Sequence, residues 1–207
     1  VTEKTEKLNE LKQQLDADAD GAIAATLDAE LPALVGLLSG EAAEPALGVA
    51  TALARWTHSS NSLLEHGAVP VLVQLLTPTE TPPPPPAEGE EAAEPPAEPE
   101  LIYPTPSLAQ RACAALGAIA THPEGRLELA AAGAVAALVA LLAPRYDDQA
   151  AVQSEAMLVL SHCAGEAACR EQAREHVAPL LRLLAPLLDA AAKPPPAGGE
   201  AVAAVEL

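Results

Sequence analysis

Gly67-Ala68-Val69-Pro70-Val71-Leu72-Val73-Gln74-Leu75-Leu76 is a block that this chain writes four times. The other copies are Ala29 to Leu38 (AELPALVGLL), Gly133 to Leu142 (GAVAALVALL) and Glu175 to Leu184 (EHVAPLLRLL). Successive copies start 38, 66 and 42 residues apart, and the long interval contains a Pro/Glu-rich run. With roughly 25 residues of that run set aside, the period returns to about 40, a length typical of two- and three-helix repeat units. Within the block the apolar residues Val69, Leu72, Val73 and Leu76 fall at i, i+3, i+4 and i+7, which is one face of a helix and not a strand. The expectation is an all-α chain of stacked helical repeats.

Composition narrows the partners. Half of the 207 residues are hydrophobic, yet there is no Phe, one Trp and two Tyr, so Ala and Leu must fill the core. A net charge of −18 with eleven Lys and Arg argues against a nucleic-acid groove or an anionic membrane surface, both of which are bound by clustered cations. Proteins or cationic ligands are the expected partners. Cys113, Cys163 and Cys169 form neither an even set nor a close-spaced ligand cluster. A reducing compartment fits, with the cytoplasm expected and the nucleus as the alternative. The longest apolar run, near Leu180 to Ala192, is interrupted by Arg182 and Asp189 and is too polar to span a bilayer.

Residues 1–18 read as an N-terminal amphipathic helix or linker, with Leu8, Leu11 and Leu15 on one side and a Glu3/Lys7 pair at i,i+4. Such a helix would cap the stack or join it to something upstream, and a first residue of Val fits a piece of a longer polypeptide. Residues 19–189 read as the repeat array. Pro32 and Pro70 share a column in the first turn of the repeated helix, where a missing N–H leaves no bond unmade. Gly67 and Gly133 share the column before it, where a left-handed residue can end the preceding helix. Another helix is expected after each block, over Pro45 to Thr57, Ser107 to Thr121 and Ala150 to Ala164. Aligning these places Leu53, Leu116 and Leu160 in one column and Trp56, Ile119 and Cys163 in another. Short segments, Leu63 to His66, Glu124 to Leu129 and Cys169 to Gln172, lead into the next repeat. Each period is therefore short helix, long helix, long helix.

The block Gly-Ala-Val-Pro-x-Leu-Val-x-Leu-Leu, the helix Ala112 to Ala120 (ACAALGAIA) and the link His122-Pro123-Glu124-Gly125-Arg126 together resemble the armadillo repeat family. The resemblance covers most of residues 20 to 188, about three and two-thirds repeats, and shares its general pattern with HEAT repeats and other α-solenoids. It implies a right-handed superhelix with a concave groove lined by third helices, and a binding or scaffolding role instead of catalysis. Members of the family often grip extended peptides with Asn residues in the third helix, one turn after a Trp. This chain departs from that pattern: Arg55, Ala118 and His162 stand in the Asn column, and Thr51, Ala114 and Leu158 in the Trp column. Without a ladder of side-chain amides, capture of a peptide backbone loses its main physical support. These six residues remain the candidate partner-binding positions, while Trp56 reads as a core residue.

Residues 77–107 fall between two helices of one repeat and hold eleven of the twenty-one prolines, with seven Glu and no Lys or Arg. Such a run cannot bury apolar area, and its neighbouring charges repel, so a disordered, solvated, partly polyproline II insert is expected. A Pro-x-x-P ligand for an SH3-like domain lacks the flanking basic residue, and a tolerated insertion is the simpler reading. Helix Val177 to Leu188 carries Leu180, Leu181, Leu183, Leu184, Leu187 and Leu188, a face too wide for the preceding repeat to cover alone. Residues 190–207 are a Pro/Gly-rich tail ending in what reads as a truncated next helix, and self-association through the C-terminal helix is expected.

No Gly-rich phosphate loop, nucleophile elbow or HExxH is present. His162-Cys163 with Cys169 does not make a metal or nucleophile set, because adjacent helical residues point apart and Cys163 aligns with core positions. His58, His66, His122 and His176 sit near helix ends, where a His caps or is solvated. No cofactor, metal or catalytic residue is expected. The leading expectation is a protein-interaction scaffold acting through its groove or Pro-rich loop. The alternative is a fragment of a chaperone cofactor or assembly factor whose α-solenoid clasps a folded client.

Overall fold

A computed structural model describes residues 2–80, 101–146, 148–176 and 178. Helix α1 (Thr2–Ala17) precedes three layers of three helices each. The first layer is α2 (Ala22–Thr26), α3 (Leu31–Leu38) and α4 (Ala43–Leu53), and the second is α5 (Thr57–Glu65), α6 (Ala68–Leu76) and α7 (Pro106–Ala120). The third is α8 (Pro123–Ala131), α9 (Ala134–Ala140) and α10 (Ala150–Cys163), after which α11 (Ala167–Arg174) opens a fourth. Three ladders run through these layers. First helices stack as α2, α5, α8 and α11, second helices as α3, α6 and α9, and the most extensive ladder is α1, α4, α7 and α10. Helix α1 thus occupies the place of a third helix from an earlier layer.

The repeated block forms the second helices as its periodicity predicts. Leu31, Leu34 and Leu38 of α3, Val69, Leu72 and Leu76 of α6, and Val135 and Leu138 of α9 are buried. A fully buried side chain of this kind contributes about 1.5–3 kcal/mol by leaving water. Gly67 and Gly133 adopt φ +73° and +67°, so the left-handed residue that ends one helix and aims the next is where the column placed it. Gly21 does the same before α2 at φ +71°, and Asp18 accepts hydrogen bonds from the backbone N–H groups of Ala22, Ile23 and Ala24 at 3.1, 2.9 and 3.1 Å. The acidic break therefore caps a helix N-terminus.

The register of the first layer corrects the sequence alignment. Helix α4 stops at Leu53 and does not reach Thr57, and Trp56 is extended (φ −98°, ψ 125°) as the residue that starts α5. His122 and Glu166 hold that position before α8 and α11. Counting back from it, Leu53, Ile119 and Cys163 share one row, all buried, where the sequence had matched Trp56 to Ile119 and Cys163. The half-buried indole of Trp56 lies over Gly21, 3.0 Å from where a Cβ would stand.

Residues 81–100 of the insert lie outside the described residues, as does all but Ala178 of the C-terminal helix and tail, 177–207. The base of the insert is not a loop: Thr79 pairs with Ile102 and Glu80 with Leu101 in a two-stranded antiparallel ladder. Beyond it Tyr146 donates from Oη to the carbonyl of Pro104 at 3.4 Å, and the Arg145 guanidinium lies 3.6 Å above the Tyr103 ring. Thr105 then caps α7 by accepting from Leu108 N–H at 3.3 Å.

Candidate functional site

The ladder α1, α4, α7, α10 is the continuous face on which the six candidate residues were placed. Ala114 and Ala118 on α7 and His162 on α10 are half-buried, and Leu158 on α10 is 49% exposed beside Met157 at 46%. Two neighbouring large apolar side chains left half in water are the most prominent apolar surface of this ladder. Thr51 on α4 donates its hydroxyl to Leu47 O at 2.7 Å, so the helix itself takes up its proton. Arg55 lies past the end of α4 and does not share a row with Ala118 and His162. In the corrected register Ala52 stands there, and Gly48 stands in the row of Ala114 and Leu158.

Arg55 joins a cluster at the start of the ladder. Its Nη2 is 3.1 Å from Asp16 Oδ1 on α1, and Lys12 is hydrogen-bonded to the same carboxylate. The Lys12 hydrogen bond, aided by the charges of Lys12 and Arg55, holds the Asp16 carboxyl below its ordinary value of 3.8 against the opposing effect of burial. The stem of Lys12 runs across Gly48, 3.0 Å from where a Cβ would sit. Sequence reading missed this cluster because Arg55 lies 39 residues from Asp16 and outside the helix that carries Asp16 and Lys12.

The layers are also tied at the helix ends. Arg126 Nη1 donates to the carbonyls of Ala120 and Thr121 at 3.0 and 3.2 Å, and Arg170 Nη1 donates to Ala164 O at 2.9 Å. Both stand fourth in their first helix and satisfy orphan carbonyls at the end of the preceding third helix. The equivalent in α5 is Ser60, which is buried with no hydrogen-bond partner. The end of α4 is served from the next layer instead, by His122, whose Nε2–H donates to Ala54 O at 3.0 Å. Gln172 Nε2 reaches Ala130 O at 2.6 Å and Cys169 Sγ reaches Arg126 O at 3.5 Å, both between layers. His58 pairs with Asp28. These histidines serve helix ends and connections.

The thiols are buried. Burial pushes the Cys113 and Cys163 thiols up to about 12 and raises Cys169 as well. They stay protonated at neutral pH and are poor nucleophiles and ligands. Among the described residues no three His, Cys, Asp or Glu side chains gather as a metal site requires. Among the same residues no helix is long and apolar enough to cross a membrane.

Two solved structures share this geometry over most of the chain. One is a computationally designed armadillo repeat protein for modular peptide recognition, with a TM-score of 0.62, 23% identity, and coverage of 94% of this chain and 71% of that one. The chain has the armadillo-repeat fold. An engineered protein from the Northeast Structural Genomics Consortium matches with a TM-score of 0.64 and 23% identity over 87% of this chain, which spans 65% of that chain's length. No family model matches the sequence, and no curated protein matches it significantly. The armadillo layers correspond to α2 to α4, α5 to α7 and α8 to α10, with α1 stacked before them and α11 opening a fourth.

Proposed function

We propose that this armadillo array is a protein-interaction scaffold, without catalysis of its own, that receives a protein partner along its stacked third helices. The observation that carries the reading is the half-exposed pair Met157 and Leu158 next to His162 on α10, the last described helix of the ladder. Apolar side chains of this kind anchor partners when water leaves them on both sides. Ala114 and Ala118 extend the same face along α7, and Thr51 and Arg55 border it at α4. Arg55 offers its guanidinium to a carboxylate or carbonyl once it releases Asp16. The absence of an amide ladder in these rows favours recognition by side chains over capture of an extended peptide backbone. One structural neighbour was designed to recognise peptides, which supports a binding role for the fold. Binding of a protein partner through the Pro-rich insert and self-association through the C-terminal helix are further routes within this proposal, and the cytoplasm is the proposed compartment.

Affinity capture from cell extract with the full chain, with Met157→Glu/Leu158→Glu and with residues 81–100 deleted separates these routes. The groove reading expects the charged variant to lose the proteins that the full chain and the deletion variant both retain. Equal recovery on all three would overturn it, and loss only with the deletion would assign binding to the insert.

A further inference from the structure

Cys163 closes α10 and Cys169 is the third residue of α11, with Ala164, Gly165 and Glu166 as the whole connection between the two helices. Both side chains are buried, at 2% and 1% exposure, in the apolar core. Their thiols form a chain of contacts: Cys163 donates its S–H to Cys169 Sγ, and Cys169 Sγ donates to the carbonyl of Arg126 at 3.5 Å. A buried thiol packs as a small apolar group, and its reactivity more than its packing decides what it is for. The contacts give the two sulfurs different roles. Burial raises both, Cys163 to about 12. At Cys169 the hydrogen bond from Cys163 and the nearby Arg126 guanidinium work against that rise, while Glu166 adds to it. The thiolate that the pair yields therefore resides on Cys169, with Cys163 as its protonated neighbour. Cys113, in α7, is pushed up to about 12 by burial and by Glu155.

We propose that Cys163 and Cys169 are a reversible redox pair that locks α11 to the end of α10, with a low-molecular-weight disulfide as the oxidant. When α11 opens away from α8 and α9, on which it packs, the Cys169 thiolate attacks one sulfur of the disulfide RSSR. This forms Cys169–S–S–R and releases RS⁻, which takes up the proton that Cys169 gave up. Cys163 then loses its proton and displaces the second RS⁻, which takes up that proton, leaving a Cys163–Cys169 bond. The protein loses two hydrogens with their electrons and RSSR gains them as two RSH, so the exchange balances. Because both sulfurs are buried, opening of α11 sets the rate, and the rest of the stack stays closed. The bond closes a short loop from 163 to 169, so it restrains α11 without reaching earlier layers. Leu158 and His162 stand on the last turns of the same α10, so the lock stiffens the end of the third-helix face. Its chemistry does not depend on what that face binds, and the two readings stand or fall independently.

The test is incubation of the full chain with oxidised glutathione at mildly alkaline pH, followed by mass spectrometry and peptide mapping without reduction. The expected product is one internal bond, Cys163 to Cys169, formed over hours, with Cys113 left free and the bond reversed by dithiothreitol. Cys163→Ser is expected to stop with one glutathione on Cys169, because the resolving thiol is gone. Cys169→Ser is expected to react at least about tenfold more slowly than the parent, because the attacking thiolate is gone. In the oxidised parent, amide exchange in α11 should slow at least about tenfold while α4 and α7 stay unchanged. A parent that keeps its three thiols free, while the same treatment in urea modifies them, overturns the proposal. So does a bond or adduct at Cys113 in the native protein, or a mixed disulfide that persists in the parent. If a serine variant loses its helical circular dichroism, the alanine variant replaces it, and the peptide map of the parent decides without either.

Discussion

Gly125 shows how closely this stack is fitted at a single position. A Cβ there would stand 2.2 Å from the carbonyl oxygen of Ile119, so α8 meets the end of α7 at backbone distance. Gly125→Ala should destabilise the array by about 1–3 kcal/mol despite the better helix propensity of Ala. Urea titration of the helical signal reads this, and an unchanged midpoint would show that the layers separate easily. Asp16 is a second case. Its carboxyl is held low, so its contribution to stability is present above 3.8 and is lost as pH falls through its lower folded value. Asp16→Asn should therefore melt below the parent at neutral pH and converge with it in acid; a gap that persists in acid would assign the effect to packing. The thiols make a third. With Cys113 and Cys163 at about 12, alkylation at pH 8 should follow unfolding of the stack and not thiol ionisation. Mass spectrometry of alkylated native protein would contradict this by finding either residue modified within minutes.

At the scale of elements, the second helices were legible because their two signals agree: an apolar stripe at helical spacing, and a glycine or proline that fixes where it starts. The third helix of the first layer was misread for a physical reason. Trp56 follows Leu53 by three residues, which prolongs the helical stripe, but the chain turns at Ala54 and Arg55 and the indole packs over Gly21. The Ser/Thr-rich start of α5, Thr57-His58-Ser59-Ser60, was the available signal for the break. The candidate rows inherited the error at Thr51 and Arg55, while Ala118 and His162 share one row and Ala114 and Leu158 the other. The bonds at the layer ends were not legible, since each joins a side chain to a carbonyl in another helix. The insert gives the element-scale prediction. Its ends are already joined by the Thr79 to Ile102 ladder, so replacing 81–100 with Asn-Gly should close a hairpin and leave the melting temperature within about 2 °C. A fall of many degrees would mean that the insert packs on the array.

At the scale of the molecule, each layer touches only its neighbours, so stability should be distributed as in a one-dimensional stack. The ladder α1, α4, α7, α10 is the part of that stack to which function is assigned here, and it must be continuous to present one face. Helix α7 is flanked on both sides in this ladder, by α4 and α10, whereas α1 has α4 on one side only among the described residues. Native-state amide hydrogen exchange measures this directly. Protection should be greatest in α7, lower in α4 and α10, and least in α1 and α11, in steps that follow the layers. Equal protection across all layers, or α1 exchanging as slowly as α7, would contradict a layered stack and with it the continuous binding face.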